Sequence, residues 1–165
     1  MPNSFKTAAL AVCALIAYPA AAATPQPQAT ATVNIKKPLT ISRVSDLSFG
    51  SIVLSGATPF TAVVSISQTG VLTCPATVTC SGTTSRAVYN LRGSNNQVVA
   101  VTSPNITLSN GTNTLAMTVS APATVTLTSS GAPGNDFGIG GSLTLTDTTP
   151  DGVYTGTFNV TADYQ

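Results

Sequence analysis

The side chains that could perform acid–base chemistry in this sequence are five aspartates, because the chain has neither histidine nor glutamate. The absence of histidine excludes His-based triads and His metal sites. Asp147 and Asp151 are close in sequence, but they flank Thr-Thr-Pro, which is typical of a turn. A glycosidase needs two carboxyl groups held across a cleft, and two aspartates in one turn do not provide that geometry. We therefore predict no catalytic residue and expect a protein that is not an enzyme.

A glycine-rich stretch at residues 131–141 (GAPGNDFGIGG) is the other segment to consider for ligand binding. It offers one carboxylate, Asp136, and lacks the alternating Asp/Asn ligands of calcium loops. Phosphate-cradling loops lie between a strand and a helix, and no helical pattern follows this stretch. The sequence predicts a flexible loop here, with neither a metal ion nor a cofactor.

Two cysteines, Cys74 and Cys80, bracket the five residues PATVT. Their spacing is not C-x-x-C, and no histidine is present to complete a metal site. In an oxidising compartment two such cysteines pair. We predict a structural disulfide that clips two antiparallel strands together and contributes roughly 2 kcal/mol through loop-closure entropy.

An oxidising compartment is expected because residues 1–23 have the three parts of a secretory signal peptide. Residues 1–6 form a basic leader, residues 7–18 form an apolar run, and residues 20–23 supply small side chains, with cleavage expected after Ala23. The apolar run is too short for the roughly 20 residues that a membrane helix needs. We predict export to the periplasm, the outer cell surface or the medium, with no transmembrane segment after cleavage.

The charge of the remaining chain excludes several classes of partner. Of six Lys and Arg residues one, Lys6, lies in the leader, which leaves five against five Asp and a net charge near zero. No basic stripe for nucleic acid is present, and no polybasic patch for anionic lipid. A surface of hydroxyl and amide groups with little net charge repels its own copies weakly, which suits the close packing of identical subunits.

Beyond a flexible Pro/Gln/Thr tail at residues 24–32, the hydrophobic pattern has a period of two, and no segment has helical spacing. The final strand is the clearest, with Tyr154, Gly156, Phe158, Val160, Ala162 and Tyr164 on one face. Nine or ten such strands separated by turn residues predict one all-β domain over residues 33–165, an antiparallel immunoglobulin-like or pilin-like β-sandwich.

Two motifs carry a family resemblance. Residues 33–52 (VNIKKPLTISRVSDLSFGSI) and residues 152–164 (GVYTGTFNVTADY) resemble the secreted proteobacterial family known as domain of unknown function 4402. More distantly, the chain resembles spore coat protein U and chaperone–usher pilin subunits, in which a Gly lies fourteenth from the C-terminus and a Tyr is penultimate. Gly152 and Tyr164 occupy those places, although a turn glycine and an edge-strand tyrosine would also explain them. The local cysteine pair departs from the pilin pattern, in which the disulfide joins the first two strands.

The pilin resemblance implies assembly by β-strand addition, in which one subunit donates a strand to an incomplete neighbour. The donor candidate is the alternating segment 29–35, with apolar side chains at Ala29, Ala31, Val33 and Ile35; the same segment could instead be the first strand of its own sandwich. Assembly residues in the C-terminal strand would be Gly152, Tyr154, Phe158, Val160 and Tyr164. We expect a non-catalytic surface subunit, pilus-like or coat-like, partnered by its own copies or by a periplasmic chaperone and usher. The alternative is a self-contained binding module for polysaccharide or another surface component.

Overall fold

The computed structural model describes residues 24–165, and the predicted signal peptide and its cleavage site lie outside the described residues. The chain divides into two units, residues 1–34 and 35–165. The described part of the first unit, residues 24–34, has no regular secondary structure. No helix among the described residues is long and apolar enough to cross a membrane.

The second unit is built from antiparallel β-strands, which confirms the predicted all-β fold. Twelve strands are present where nine or ten were expected, and six of them have only two to four residues. In chain order they are β1 (Thr40–Ser45), β2 (Ser51–Leu54), β3 (Thr61–Ile66), β4 (Leu72–Thr73), β5 (Val78–Ser81), β6 (Ala87–Arg92), β7 (Val98–Thr102), β8 (Ile106–Ser109), β9 (Thr114–Ser120), β10 (Thr124–Thr126), β11 (Asn135–Thr146) and β12 (Thr161–Tyr164).

The strands form one large sheet and two small ones. The large sheet has the order β1-β6-β11-β3-β4, and β9 also pairs with β11 and carries β8 at its other edge. A three-stranded sheet has the order β10-β7-β12, and β2 pairs with β5 alone. The curled, antiparallel arrangement is that of a β-sandwich-like domain.

The long strand β11 corrects the prediction of a flexible loop over residues 131–141. Its first five residues pair with β6, and residues 140–146 pair with β3 and β9. A Cβ atom on Gly140 would lie 2.0 Å from the carbonyl oxygen of Ile66, so only glycine allows the two backbones to approach this closely. Gly138 and Gly140 are therefore needed where the strand passes close to another backbone, whereas residues 131–134 precede the strand.

The core consists of two groups of buried side chains at the two ends of β11. The strand β3 contributes to the first group the alternation that the sequence predicts, with Ala62 and Val64 buried and Val63 exposed. The first group contains Ala62, Val64, Val78, Leu108, Met117, Leu143 and Leu145. The second group contains Ala87, Leu91, Val99, Val101, Leu127, Phe137 and Ile139.

The predicted disulfide between Cys74 and Cys80 forms, with a Cα–Cα distance of 6.2 Å. The expectation that it clips two paired strands together is wrong, however. Cys74 directly follows β4, which belongs to the large sheet, whereas Cys80 lies in β5, whose partner is β2. The bond thus ties the small β2–β5 sheet to the edge of the large one, a long-range arrangement that the five-residue spacing does not reveal.

Candidate functional site

The C-terminal residues 152–164 run past β8 and β7 as the last extended segment. Their burial alternates as predicted at five of the six positions, with Tyr154, Phe158, Val160, Ala162 and Tyr164 half-buried, whereas Gly156 is exposed. Regular pairing is limited to two places. Thr155 exchanges two main-chain hydrogen bonds of 2.8 and 2.9 Å with Ser109, and β12 pairs with β7. The segment begins at Gly152, whose φ of +143° strongly favours glycine.

An open groove of about 790 Å³ lies between this segment and β2. One wall is formed by residues 47–54, and the other by residues 149–156 with Phe158. The floor is aliphatic and belongs to the first core group and the strands around it. It comprises Leu108, Leu115, Met117, Leu143 and Leu145.

Both walls of the groove end in open strand edges. Thr155 turns its amide and carbonyl groups to Ser109, so the main-chain groups of Tyr154 and Gly156 point to the opposite side, where the groove lies. Neither of these two residues has a main-chain hydrogen bond to any described residue. Across the groove, β2 pairs with β5 on one edge, and its other edge has no partner strand among residues 24–165. An apolar floor between two unpaired edges is the geometry that a further β-strand completes.

A smaller cavity, the side pocket, adjoins the groove beside residues 156–158 of the same segment. It has a volume of about 350 Å³ and shares Leu47, Gly156 and Phe158 with the groove. Its outer wall carries an ion pair of 2.6 Å between Arg43 and Asp46, whose side chains are 64% and 73% exposed. The side pocket is therefore more polar than the groove.

Tyr89 forms part of the side pocket and packs against Phe137 and Phe158 with ring-centroid distances of 6.0 and 6.4 Å. Burial of the ring raises the pKa of the Tyr89 hydroxyl, an effect that the nearby Arg43 guanidinium opposes. This hydroxyl makes no hydrogen bond within the described part of the chain. The pocket thus combines an aromatic surface with an unpartnered hydroxyl donor.

The predicted donor segment, residues 29–35, is extended and belongs to no sheet. Val33 and Ile35 are 80% and 85% exposed, so two large apolar side chains are in water. Exposed apolar side chains in alternation are costly in water and favour burial in a partner.

Tyr164 holds the start of the folded domain beside its end. Its hydroxyl accepts a hydrogen bond of 2.6 Å from the Ser94 amide and donates one of 2.8 Å to the Lys37 carbonyl. The Lys36 ammonium lies 4.9 Å from the centre of the Tyr164 ring, within cation–π range. The chain that precedes residue 36 therefore joins the domain next to the end of β12.

This junction and the groove lie at opposite ends of β11. Ser94 follows β6, whose Leu91 pairs with Asn135 at the start of β11, whereas the groove floor includes Leu143. Leu143 is eight positions after Asn135, which at about 3.3 Å per step is roughly 26 Å along the strand. Within the second unit, Lys36 and Lys37 thus lie at the end of β11 that is away from the groove.

Other ligand chemistry finds little support in the described residues. Residues 24–165 contain no cluster of three or more His, Cys, Asp or Glu side chains that could hold a metal ion. Asp147 and Asp151 both lie in the segment after β11, and of the two only Asp151 lines the groove. Every aromatic side chain of residues 24–165 is at least partly buried, so the exposed ring on which sugar binding usually depends is missing from this part of the chain.

Comparison with known proteins bears on the whole domain rather than on the groove alone. Neither the curated proteins nor the solved structures contain a match to this sequence. One family model matches residues 39–164, a range that includes nearly all of the second unit and every strand of the fold. The chain therefore belongs to the family described as domain of unknown function (DUF4402).

Proposed function

We propose that this protein is a non-catalytic structural subunit of an exported surface assembly, and that its copies join by β-strand addition. The observation that carries the proposal is the groove, in which an aliphatic floor lies between two unpaired strand edges. The donated strand is residues 29–35 of another copy, whose apolar side chains alternate and are exposed.

Strand addition would satisfy both partners at once. The open edges of β2 and of residues 152–158 would gain main-chain hydrogen bonds, which give affinity in this mode of recognition. Val33 and Ile35 would leave water, and burial of such side chains contributes about 1.5–3 kcal/mol each. Ala29 and Ala31 would add smaller contributions on the same face.

The donor would come from a neighbour and not from the same chain, because the segment joins its domain at the end away from the groove. Each subunit would then receive a strand at one end and give one at the other. Such a contact joins two different surfaces of identical subunits, so it does not form a closed, symmetric dimer. Repeated from copy to copy, it produces a linear or helical polymer. Its low net charge would reduce repulsion between the packed copies.

An unfilled groove exposes an apolar floor and free strand edges, which is a hazard for aggregation. A subunit of this kind therefore needs a partner before assembly, and a periplasmic chaperone that fills the groove during export fits that requirement. Export through the predicted signal peptide is part of the same proposal. So is the absence of catalysis, since the described carboxylates are scattered.

The test is electrophoresis of envelope extracts in SDS with and without heating. Strand-exchanged polymers should migrate as a ladder in unheated samples and collapse to one monomer band after boiling. The double variant Val33→Asp, Ile35→Asp should abolish the ladder and leave export intact, because it places two charges on the face that enters the groove.

A matched control is the double variant Thr32→Asp, Asn34→Asp, which adds the same charges to the opposite face of the segment. This control should retain the ladder. A wild-type protein that is monomeric in unheated samples would count against the proposal, as would equal loss of the ladder in both double variants.

A further inference from the structure

The outer face of the large sheet carries hydroxyl groups and no charge over five of its strands. These strands are β3, β4, β8, β9 and residues 142–146 of β11, whose inner side chains contribute to the first core group and the groove floor. This hydroxyl face consists of Thr61, Val63, Ser65, Thr73, Thr107, Ser109, Thr114, Ala116, Thr118, Ser120, Ser142, Thr144 and Thr146. All of these residues are exposed or half-buried, so the face is open to a partner.

Strand pairing arranges the side chains of the hydroxyl face in rows. Thr118 of β9 pairs with Ser142 of β11, which pairs in turn with Ser65 of β3. Thr73 of β4 continues the row beside Ser65. Neighbours in a row are about 4.8 Å apart, and the next row along the strands is about 6.6 Å away. The face thus presents short side chains of one chemical kind at regular intervals.

Most hydroxyl groups of this face have no hydrogen-bond partner. Those of Ser109, Ser120 and Thr146 bond to groups among residues 24–165, and the other hydroxyls of the face have no partner in that part of the chain. A hydroxyl group can both donate and accept a hydrogen bond. Two identical hydroxyl faces can therefore bond to each other, whereas carboxylates or ammonium groups cannot pair with their own kind.

The distribution of charge marks the limits of the hydroxyl face. Residues 47–85 and 93–135 contain no charged side chain, and they supply every strand of the face except β11. Charges begin at its borders, with Arg86 beside Gly138 in the first half of β11 and Asp147 directly after the strand. A two-fold contact places the same surface on both sides. Because this surface has no charge, the contact brings no like charges together.

The size of the face decides where such a contact is stable. Five strands about 4.8 Å apart, with about six residues each at 3.3 Å per residue, cover at most roughly 480 Å². A stable complex buries about 800 Å² on each partner. Two separate chains should therefore not pair through this face. Two polymers, however, repeat the contact along their length and gain avidity from it.

On the basis of the proposed function, we infer that polymers of this protein pack side by side through the hydroxyl face. The face of one subunit lies against the same face of a subunit in the next polymer. Strand addition leaves it free, because the groove is on the other side of the same sheet. The partner of the hydroxyl face is thus a second copy of this chain.

Two charged double variants test this contact in polymers prepared from envelope extracts of the full chain. Thr118→Lys with Thr144→Lys, and Thr118→Glu with Thr144→Glu, each place charges of one sign at exposed central positions of the face. The control, Thr102→Lys with Thr126→Lys, adds the same charge as the first variant at exposed positions of the three-stranded sheet. The SDS ladder of unheated samples reports polymerisation alone and should be retained in all three variants.

Low-speed sedimentation and negative-stain microscopy report side-by-side packing. Wild-type and control polymers should sediment as bundles, and each face variant alone should remain as single filaments. The polymer concentration at which half of the protein sediments should rise by about tenfold or more, because like charges meet at every subunit. An equal mixture of the Lys and Glu polymers should form bundles again. Those mixed bundles should disperse in about 1 M salt, where the screening length is about 3 Å.

Single filaments in the wild-type preparation would overturn the side-by-side contact and leave the proposed function standing, because the ladder depends on strand addition alone. The same conclusion follows if the face variants bundle as the wild type does, if the control fails to bundle, or if the mixture stays dispersed.

If a face variant gives no ladder, the single variant Thr107→Lys on the edge strand β8 takes its place, and bundling of that variant would equally overturn the contact. A wild-type chain that forms no heat-sensitive ladder refutes the proposed function, and the packing of polymers with it.

Discussion

Removal of the Cys74–Cys80 bond should both destabilise the domain and loosen one wall of the groove. The bond closes a ring of seven residues, since the two cysteines are six positions apart. The chain-entropy relation for a ring of this size corresponds to about 2 kcal/mol of stabilisation. That energy equals a roughly 30-fold change in the unfolding equilibrium constant.

The effect on the groove follows from the pairing of β2. Its one partner strand in the described structure is β5, and β5 contains Cys80. Without the bond to Cys74, the β2–β5 sheet keeps the side-chain contacts of Ile52, Leu54 and Val78 with the first core group but loses its covalent tie to the large sheet. The β2 wall should then be less well placed to receive a strand.

The double variant Cys74→Ala, Cys80→Ala should show both effects. In urea unfolding we expect the midpoint to fall by about 1 M, from the 2 kcal/mol loss and a typical dependence of 1–3 kcal/mol per molar urea. A synthetic peptide of residues 27–37, added to the full chain, should bind more weakly. Roughly 30-fold is the upper limit, reached if the whole entropic contribution acts on the groove wall.

Reduction of the wild-type protein should reproduce the behaviour of the variant, and the reductant should leave the variant unchanged. If the variant loses stability but binds the peptide as tightly as the wild type, the groove wall does not depend on the disulfide. If neither quantity changes, the bond is no constraint on the unfolded chain, and the entropic reasoning itself is refuted.

Three further predictions concern single positions. Gly156→Val should cost about 1–3 kcal/mol in urea unfolding, because its Cβ would lie 2.7 Å from a methyl group of Leu108; an unchanged midpoint would contradict this packing. Tyr164→Phe should cost about 1–2 kcal/mol, since the Ser94 amide loses its acceptor, and amide hydrogen exchange at Ser94 should accelerate. Burial raises the pKa of Tyr89, so the unfolded chain releases this proton first as pH rises, and the contribution of Tyr89 to stability should be lost above about pH 10. Tyr89→Phe should therefore show a smaller fall in urea midpoint between pH 9 and pH 11 than the wild type, and an identical fall would refute the assignment.

Local sequence patterns predicted the strands whose two faces differ in environment. In β3 and in residues 154–164, apolar and polar residues alternate because one face meets the core and the other meets water. The same reasoning failed for β11, where glycines suggested a loop. There the requirement for glycine comes from a neighbouring backbone that is remote in sequence, and no local pattern reports such an approach.

The sequence by itself determined the all-β class, the cysteine pair, the lack of histidine and glutamate, and the alternating segment at residues 29–35. These features follow from the composition and from the spacing of apolar residues, and both can be read from residues that are close together in the chain. Only the tertiary structure decided that the disulfide joins two sheets and that β2 and residues 152–158 face each other across an open groove. The pairing of strands that are about a hundred residues apart in the sequence depends on how the whole chain packs. An unpaired strand edge can therefore be identified only once the pairing of all the other strands is known.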